Sequence, residues 1–255
     1  MQNKTLKQKI QSGEKVVGTM IKVVDTIHVA KLLKDSGFDF FIIDNEHGFF
    51  DYKNLSDLCL YSRAIGFPAF IRIPQVTREI VLKCMDMGAA GLLLPSCETV
   101  KQAKDLVEFS KYSPLGDRGV NLFGAHAQYA PGNSVEYMKK ANEETVLLIQ
   151  MESPRGVENL AEILDVEGID AAFVGPNDFS QSINLTGQFD HPLFEEYMDK
   201  IIDTCKEKGK FSGIHMSTID GVKKWESRGM TVNLYSNEIA MMTNAAKADM
   251  KVIKG

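Results

Sequence analysis

Two carboxylates that follow consecutive apolar runs could together hold a hard divalent cation. The runs, at residues 146–149 and 169–174, are rich in β-branched side chains and are typical of buried strands. The first is followed by Gln150-Met151-Glu152 and the second by Gly175-Pro176-Asn177-Asp178. No basic residue is interleaved, and carboxylate oxygens are the ligands that such cations prefer. Glu152 and Asp178 are therefore candidate metal ligands, although the same residues would also suit a helix cap and a turn.

The segment between the two runs predicts a helix. Val157, Leu160 and Ile163 recur there at helical spacing, so the whole unit is a parallel strand–helix–strand crossover. In parallel α/β folds the functional site lies at the carboxyl ends of the strands. The crossover is therefore expected to deliver Glu152 and Asp178 to one rim.

The rest of the chain repeats the strand-then-helix pattern. Further apolar runs predict strands at residues 16–24, 38–43, 69–73, 90–94, 212–216 and 230–234. With the central pair this makes eight units in 255 residues, the size of an α/β protein of the (β/α)8 TIM-barrel class. A doubly wound open sheet is the alternative, but no G-x-G-x-x-G follows the first strand. We predict a single barrel domain over residues 1–255, with an irregular insertion at about residues 114–143.

The composition excludes several function classes. The chain is 44% hydrophobic and 25% charged, and its net charge of −5 argues against a dedicated nucleic-acid binder. No apolar run approaches the roughly 20 residues that cross a membrane, and the polar N-terminus lacks a signal-peptide core. Four scattered cysteines without a C-x-x-C pair indicate buried free thiols. We expect a cytoplasmic protein whose partners are neither nucleic acids nor membranes.

Other polar side chains also follow predicted strands, namely Lys22, Asp44, Glu46, His47, Arg72, Gln150 and Asn177. His47 suits a general base because the ordinary pKa of histidine lies near neutrality. Arg72 offers a planar fork for a carboxylate or an oxyanion. His47 could instead cap a turn, and Arg72 could pair structurally with a neighbouring aspartate. Neither a Cys/His zinc pattern nor a nucleophile elbow occurs in the sequence.

Seven short motifs occur in order along nearly the whole chain. They are IDNEHG at 43–48, RIP at 72–74, MDMGA at 85–89, SPLGDRG at 113–119, QME at 150–152, DVEGID at 165–170 and GPNDFS at 175–180. Together they resemble the HpcH/HpaI family of class II, metal-dependent 2-keto-3-deoxy acid aldolases. The resemblance implies a TIM barrel of the phosphoenolpyruvate/pyruvate type in which Glu152 and Asp178 bind Mg²⁺, Mn²⁺ or Co²⁺.

The resemblance also implies roles for the remaining site residues. His47 is expected to be the acid/base, with Asp44 and Asp86 as supporting carboxylates. Arg72 is expected to hold the pyruvate oxygen, and Gln150 to bind the substrate. The turn Gly175-Pro176-Asn177-Asp178 is expected to hold the pyruvate carboxylate through backbone N–H groups.

Family members exchange their last helix between subunits and commonly form trimers of dimers. The resemblance therefore implies a dimer-based homo-oligomer such as a hexamer, held together partly by the C-terminal helix. The final helix predicted here, at residues 238–248, carries Ile239, Met242 and Ala246 at helical spacing.

Three positions depart from the family's pattern. Lys22 stands where the first strand usually carries a small or apolar residue, and Asn177 replaces a smaller residue in the G-P-x-D turn. The eighth strand ends in NLYSN, at 233–237, rather than in a Gly-Val-Asp turn. These departures affect the expected identity of the aldehyde partner more than the expected enolate chemistry.

The expected reaction is reversible cleavage of a 4-hydroxy-2-oxo acid to pyruvate and an aldehyde, through a metal-stabilised pyruvate enolate. One alternative is Schiff-base chemistry through Lys22, in which the carboxylate pair would have no purpose. A second is a CoA-ester lyase of the citrate-lyase-like branch. A third is a non-catalytic barrel that binds a keto acid, against which the joint presence of His47, Arg72, Glu152 and Asp178 argues.

Overall fold

Eight parallel strands close into a barrel in the computed structural model, which describes residues 4–130 and 132–255. The strands pair in chain order, and the last pairs with the first. They are β1 (Val16–Ile21), β2 (Phe40–Asp44), β3 (Ala69–Arg72), β4 (Gly91–Leu94), β5 (Val146–Met151), β6 (Ala171–Val174), β7 (Phe211–Met216) and β8 (Val232–Asn237). The predicted fold class is confirmed.

Helices alternate with the strands around the outside of the barrel. In chain order they are α1 (Leu6–Gln11), α2 (His28–Asp35), α3 (Tyr52–Ala64), α4 (Arg78–Asp86), α5 (Val100–Ser110), α6 (Ser134–Glu144), α7 (Pro154–Glu158), α8 (Leu160–Leu164), α9 (Pro176–Ser182), α10 (Pro192–Glu207), α11 (Ile219–Arg228) and α12 (Glu238–Lys254). Side-chain caps fix several of the starts. Thr77, for example, accepts the N–H of Ile80, which would otherwise be unpaired in the first turn of α4.

The strands bury both of their faces, which explains their continuous apolar sequences. In β2, Phe40 and Ile42 belong to the cluster inside the barrel, while Phe41 and Ile43 pack against the outer helices. Strand residues alternate between the two faces. Asp44 is therefore directed into the barrel at its carboxyl end.

The same alternation explains which polar residues reach the barrel mouth. On β5, Val146 and Leu148 lie inside the barrel, so Gln150 and Glu152 follow on the inner face. On β3, Phe70 lies inside, and Arg72 follows it. The candidate site is thus the top layer of side chains of the barrel interior.

The predicted insertion at about residues 114–143 is only partly irregular. It contains a short 3₁₀ turn, Ala125–Ala127, and its last part forms α6. No residue of α6 is buried, so the sequence lacks the apolar periodicity by which a helix is recognised. The crossover helix between β5 and β6 is divided into α7 and α8.

The last helix, α12, is longer than its predicted extent, 238–248. Glu238 at its start is buried, but every residue from Met242 to Gly255 is exposed. The exposed fractions of Met242 and Val252 are 64% and 84%. This helix therefore leaves an apolar surface uncovered by its own barrel.

No helix among the described residues has the length and apolar character needed to cross a membrane.

Candidate active site

A cavity of about 220 Å³ lies at the carboxyl ends of the strands. Most of the residues proposed from the sequence line it: His47, Arg72, Gln150, Gly175, Pro176, Asn177 and Asp178. Lys22, on the loop after β1, and His215, on β7, also line the cavity. The barrel thus brings residues from opposite sides of the closed sheet to one place.

Arg72 is fixed by a buried ion pair with Asp44. The two residues lie opposite each other on β3 and β2, and Nε and Nη2 of Arg72 donate to Oδ1 and Oδ2 of Asp44 at 3.0 and 2.6 Å. Burial acts to raise the pKa of Asp44, but the hydrogen bonds and charge of Arg72 outweigh it and lower the pKa below its ordinary value. Asp44 therefore remains ionised and orients the guanidinium.

Asp44 also supports the loop that carries His47. Its Oδ1 accepts the backbone N–H groups of Glu46 and His47 at 3.2 and 3.1 Å. The predicted contact between Asp44 and His47 therefore exists, but it is made with the backbone and not with the imidazole. Glu46 binds the other side of Arg72, with 3.1 Å between its Oε2 and Nη1. The guanidinium is held between two carboxylates.

Glu152 is buried and is hydrogen bonded through both oxygens. Oε1 accepts from Nε2 of Gln150 at 2.7 Å, and Oε2 accepts from N and Oγ of Ser96 at 2.8 and 3.0 Å. Burial is the main cause that raises the pKa of Glu152 to about 7, and the charges of Asp178 and Glu46 raise it further, while Ser96 opposes the rise. Three carboxyl groups thus lie close enough to repel one another.

This arrangement fits a divalent cation with oxygen ligands. A cation would relieve the repulsion around Glu152. Asp178, in the first turn of α9, lies exposed on the cavity that Gln150, the neighbour of Glu152, also lines. Buried Oε1 of Gln150 has no hydrogen-bond partner among the described residues. Within 4–130 and 132–255 no group of three His, Cys, Asp or Glu side chains could hold a metal. A cation at this carboxylate pair would therefore take its other ligands from substrate and water.

Gly175 is required by the close packing around Glu152. A Cβ atom at this position would lie 2.4 Å from Oε1 of Glu152 and 2.6 Å from Nε2 of Gln150. Any larger residue would push these two side chains away from the cavity. The absence of a side chain at Gly175 thus leaves the space that the carboxylate of Glu152 occupies.

The structure does not bring Asp86 to this site, which corrects the expectation that it supports His47. Asp86 ends α4, and a helix in this fold runs antiparallel to the strand before it, so Asp86 lies at the amino ends of the strands. Its Oδ1 accepts from Nη2 of Arg118 at 2.7 Å and lies 3.8 Å from Nε2 of His126. Within one chain, Asp86 therefore does not reach the imidazole of His47.

A larger cavity, of about 770 Å³, lies at that opposite end of the barrel. Its lining includes Ala90 and Val146 at strand starts, together with Arg118. Most of its cations are already paired, for example Arg118 with Asp86, and Lys9 with Asp39 at 2.8 Å. The smaller cavity, where Asp178, Arg72 and His47 meet in front of the buried Glu152, is the candidate active site.

Two residues at or next to the site, Ser96 and His215, were given no role by the sequence analysis. Ser96, in the turn after β4, has a φ of 45° and holds Glu152, and nothing in its sequence context indicates this contact. His215 follows inward-facing positions of β7, and strand alternation could have placed it in the barrel. Its Nε2 bonds the carbonyl oxygen of Ser236 at 2.7 Å. Burial lowers the pKa of His215 to about 4, so its imidazole is neutral at neutral pH.

A family model described as "HpcH/HpaI aldolase/citrate lyase" matches residues 25–240, which include β2 to β8. The chain belongs to this family. The HpcH/HpaI model covers every site residue discussed above except Lys22.

Individual HpcH/HpaI relatives agree with this assignment. The chain is 32% identical over 245 residues to a hydroxypyruvate/pyruvate aldolase of Roseobacter denitrificans, covering 96% of this chain and 94% of the relative. It is 33% identical over 210 residues to the 2-keto-3-deoxy-L-rhamnonate aldolase of Escherichia coli K12, covering 81% and 77%. A crystal structure of an HpcH/HpaI aldolase from Desulfitobacterium hafniense superposes with a TM-score of 0.94 at 30% identity, covering 99% and 97%.

Proposed function

We propose that this HpcH/HpaI protein is a class II aldolase that reversibly cleaves a 4-hydroxy-2-oxo acid to pyruvate and an aldehyde. The observation that carries the proposal is that Asp178 and the fixed guanidinium of Arg72 line one cavity, with the buried Glu152 directly behind its lining residues Gln150 and Gly175. The names of the two relatives, both aldolases of small keto acids, support the same reaction class.

Glu152 and Asp178 would hold Mg²⁺, Mn²⁺ or Co²⁺. When bound, the cation would supply Lewis-acid stabilisation of negative charge on the carbonyl oxygen of the 2-oxo acid. Ser96 and Gln150 keep the Glu152 carboxylate in one orientation through three hydrogen bonds. The turn from Gly175 to Asp178 lines the same wall, and we assign it the substrate carboxylate.

Arg72 stabilises the oxygen on which negative charge develops when the C3–C4 bond breaks. A guanidinium has five N–H donors, and Asp44 and Glu46 engage only part of each terminal nitrogen. The remaining donors are available to the substrate oxygen. Because the guanidinium is positioned before substrate binds, it needs no reorganisation during the reaction.

In the cleavage direction His47 accepts the proton of the C4 hydroxyl, directly or through a water molecule. Its imidazole lines the cavity, and its backbone is held by Asp44. Asp44 thus positions both groups that act on the substrate, Arg72 through its guanidinium and His47 through the loop. In this proposal Asp86 supplies nothing to the site of its own chain.

Metal removal tests the proposal. Incubation with EDTA should abolish cleavage, since two carboxylates that repel each other supply no positive charge of their own, and added Mn²⁺, Co²⁺ or Mg²⁺ should restore it. Pyruvate release is the measurement, with a panel of aldehydes in the reverse direction. Full activity in excess EDTA, or pyruvate-dependent inactivation by borohydride at Lys22, would favour the Schiff-base alternative.

We further propose that α12 mediates assembly into a dimer-based homo-oligomer. The exposed positions Met242, Met250 and Ile253 need a partner surface to be buried. Ending the chain after Met241 should reduce the particle mass seen in light scattering and lower the solubility. The charge substitution Met242→Glu should act in the same direction, whereas Lys247→Glu, on the same exposed helix, should not. An unchanged mass and solubility for the truncated, folded protein would contradict this role.

All four cysteines, at 59, 84, 97 and 205, are free and buried. Burial raises the pKa of each thiol to about 12, so the thiols are inert. Free thiols of this kind are typical of a reducing compartment, and on that ground we propose a cytoplasmic location.

A further inference from the structure

Lys22 presents an ammonium group to the cavity that the proposed chemistry does not use. It follows the last residue of β1, and because Met20 faces the barrel interior, Lys22 takes the same face. Its side chain is 32% exposed and lines the cavity with His47 and Arg72. The residue lies outside the range that the family model matches.

The position of Lys22 is built into the fold. The buried carboxylate of Glu238, at the start of α12, accepts the backbone N–H groups of Lys22 and Val23 at 2.6 and 2.7 Å, and that of Val24 at 3.3 Å. These contacts join the loop after β1 to the end of β8. The backbone that carries the ammonium is therefore held in one place.

Pairing with Asp44 accounts for the charge of Lys22 only in part and leaves its hydrogen-bond donors unused. Nζ lies 3.6 Å from Oδ2 of Asp44, which is beyond hydrogen-bond length, and in the part of the chain that the structure describes this is the one carboxylate within 4 Å of it. Asp44 already accepts four hydrogen bonds, from Arg72, Glu46 and His47. The three N–H donors of Lys22 thus remain for another acceptor.

The strands that lead to Lys22 and to Glu152 lie on opposite sides of the barrel, while the ammonium itself reaches towards Asp44 at the end of β2. In the closed strand order, β1 lies diametrically opposite β5, which leads to Glu152. With pyruvate held at Arg72, Gln150 and the Gly175–Asp178 turn, as proposed above, the aldehyde portion of the substrate would extend towards the wall formed by β1 and β8. The side chains on that wall include Ser236 and Asn237, which are uncharged, so Lys22 is its cation.

On the basis of the proposed aldolase function, we propose that Lys22 selects aldehydes that carry an anionic group, a carboxylate or a phosphate, at the end remote from the carbonyl. A charge-assisted hydrogen bond in a half-buried site is worth about 10- to 100-fold in binding. The ammonium is therefore a specificity-determining group for the aldehyde, while the pyruvate half is handled by other residues.

Matched acceptor pairs test this inference in the metal-loaded, full-length enzyme. The pairs are 4-oxobutanoate with butanal, and glyceraldehyde 3-phosphate with glyceraldehyde, which differ mainly in the anionic group. The wild type should prefer one or both anionic members in kcat/KM by about 10-fold or more. Lys22→Gln should remove most of that preference through KM of the anionic member, Lys22→Arg should keep it, and Lys101→Gln, at an exposed lysine on α5, should match the wild type.

The outcomes separate the inference from the function on which it rests. Preference for the carboxylate pair alone or the phosphate pair alone identifies which anion the site accepts. Equal use of anionic and neutral aldehydes, or an equal loss for both in Lys22→Gln, overturns the inference while the aldolase proposal stands. Absence of aldol product from every aldehyde, with metal present, overturns the aldolase proposal itself.

Discussion

Replacing His47 by alanine should reduce aldol cleavage by roughly 10²- to 10⁴-fold, the range typical for loss of a general base. Oxaloacetate decarboxylation should be reduced much less in the same variant. Decarboxylation also passes through the pyruvate enolate, but no proton has to leave a C4 hydroxyl. The measurement is the pair of rates for each protein, with the metal content determined alongside.

His47→Gln and Phe49→Ala are the comparison variants for this experiment. The glutamine keeps a polar side chain without a titratable group, so it should resemble the alanine variant. Phe49 is 88% exposed, lies two residues further along the same loop, and its truncation should leave both rates near the wild type. If His47→Ala loses both reactions equally while metal remains bound, the histidine does not act on the hydroxyl proton.

Replacing Arg72 by alanine should reduce both reactions, each by roughly 10²- to 10³-fold, as expected for loss of a preorganised oxyanion partner. Because the enolate oxygen is common to aldol cleavage and decarboxylation, the rates of both reactions should fall. Steady-state rates with both substrates are the measurement. A variant that loses cleavage but keeps decarboxylation would show that Arg72 serves the aldehyde half instead.

Arg72→Ala also removes the cation that is hydrogen bonded to the buried Asp44 and paired with Glu46. Removing one partner of a buried pair typically costs about 3–5 kcal/mol in the free energy of unfolding, so thermal unfolding must accompany the kinetics. Arg72→Lys keeps the charge but loses the planar fork that binds both oxygens of Asp44. We expect it to restore much of the stability and only a small part of the rate.

The sequence predicts the strands and their polar ends well because both follow from local patterns. Continuous apolar runs such as 40–43 identify strands buried on both faces, and alternation then places Asp44, Arg72 and Glu152 at the barrel mouth. The family motifs cover the same positions. The fold class is therefore confirmed, and seven of the predicted site residues line the cavity.

Contacts between distant segments are what the sequence does not show. Ser96 reaches Glu152 across 56 positions, and Glu238 reaches Lys22 across 216, with no local pattern that marks either contact. The separation of Asp86 from His47 within one chain was missed for a different reason. Asp86 lies at the end of a helix, which topology already places at the amino ends of the strands, but the family resemblance alone determined its assignment. Helix α6 was missed because it buries nothing.

We propose that a divalent cation held by Glu152 and Asp178 would stabilise the pyruvate enolate. Exchange of the pyruvate methyl protons with D₂O, followed by ¹H NMR, measures enolate formation without any aldehyde. We predict exchange by the metal-loaded wild type, its loss after metal removal, its recovery on adding Mg²⁺, and its loss in Glu152→Gln but not in the surface control Glu162→Gln. Undiminished exchange by the metal-free protein or by Glu152→Gln would contradict this role of the carboxylate pair.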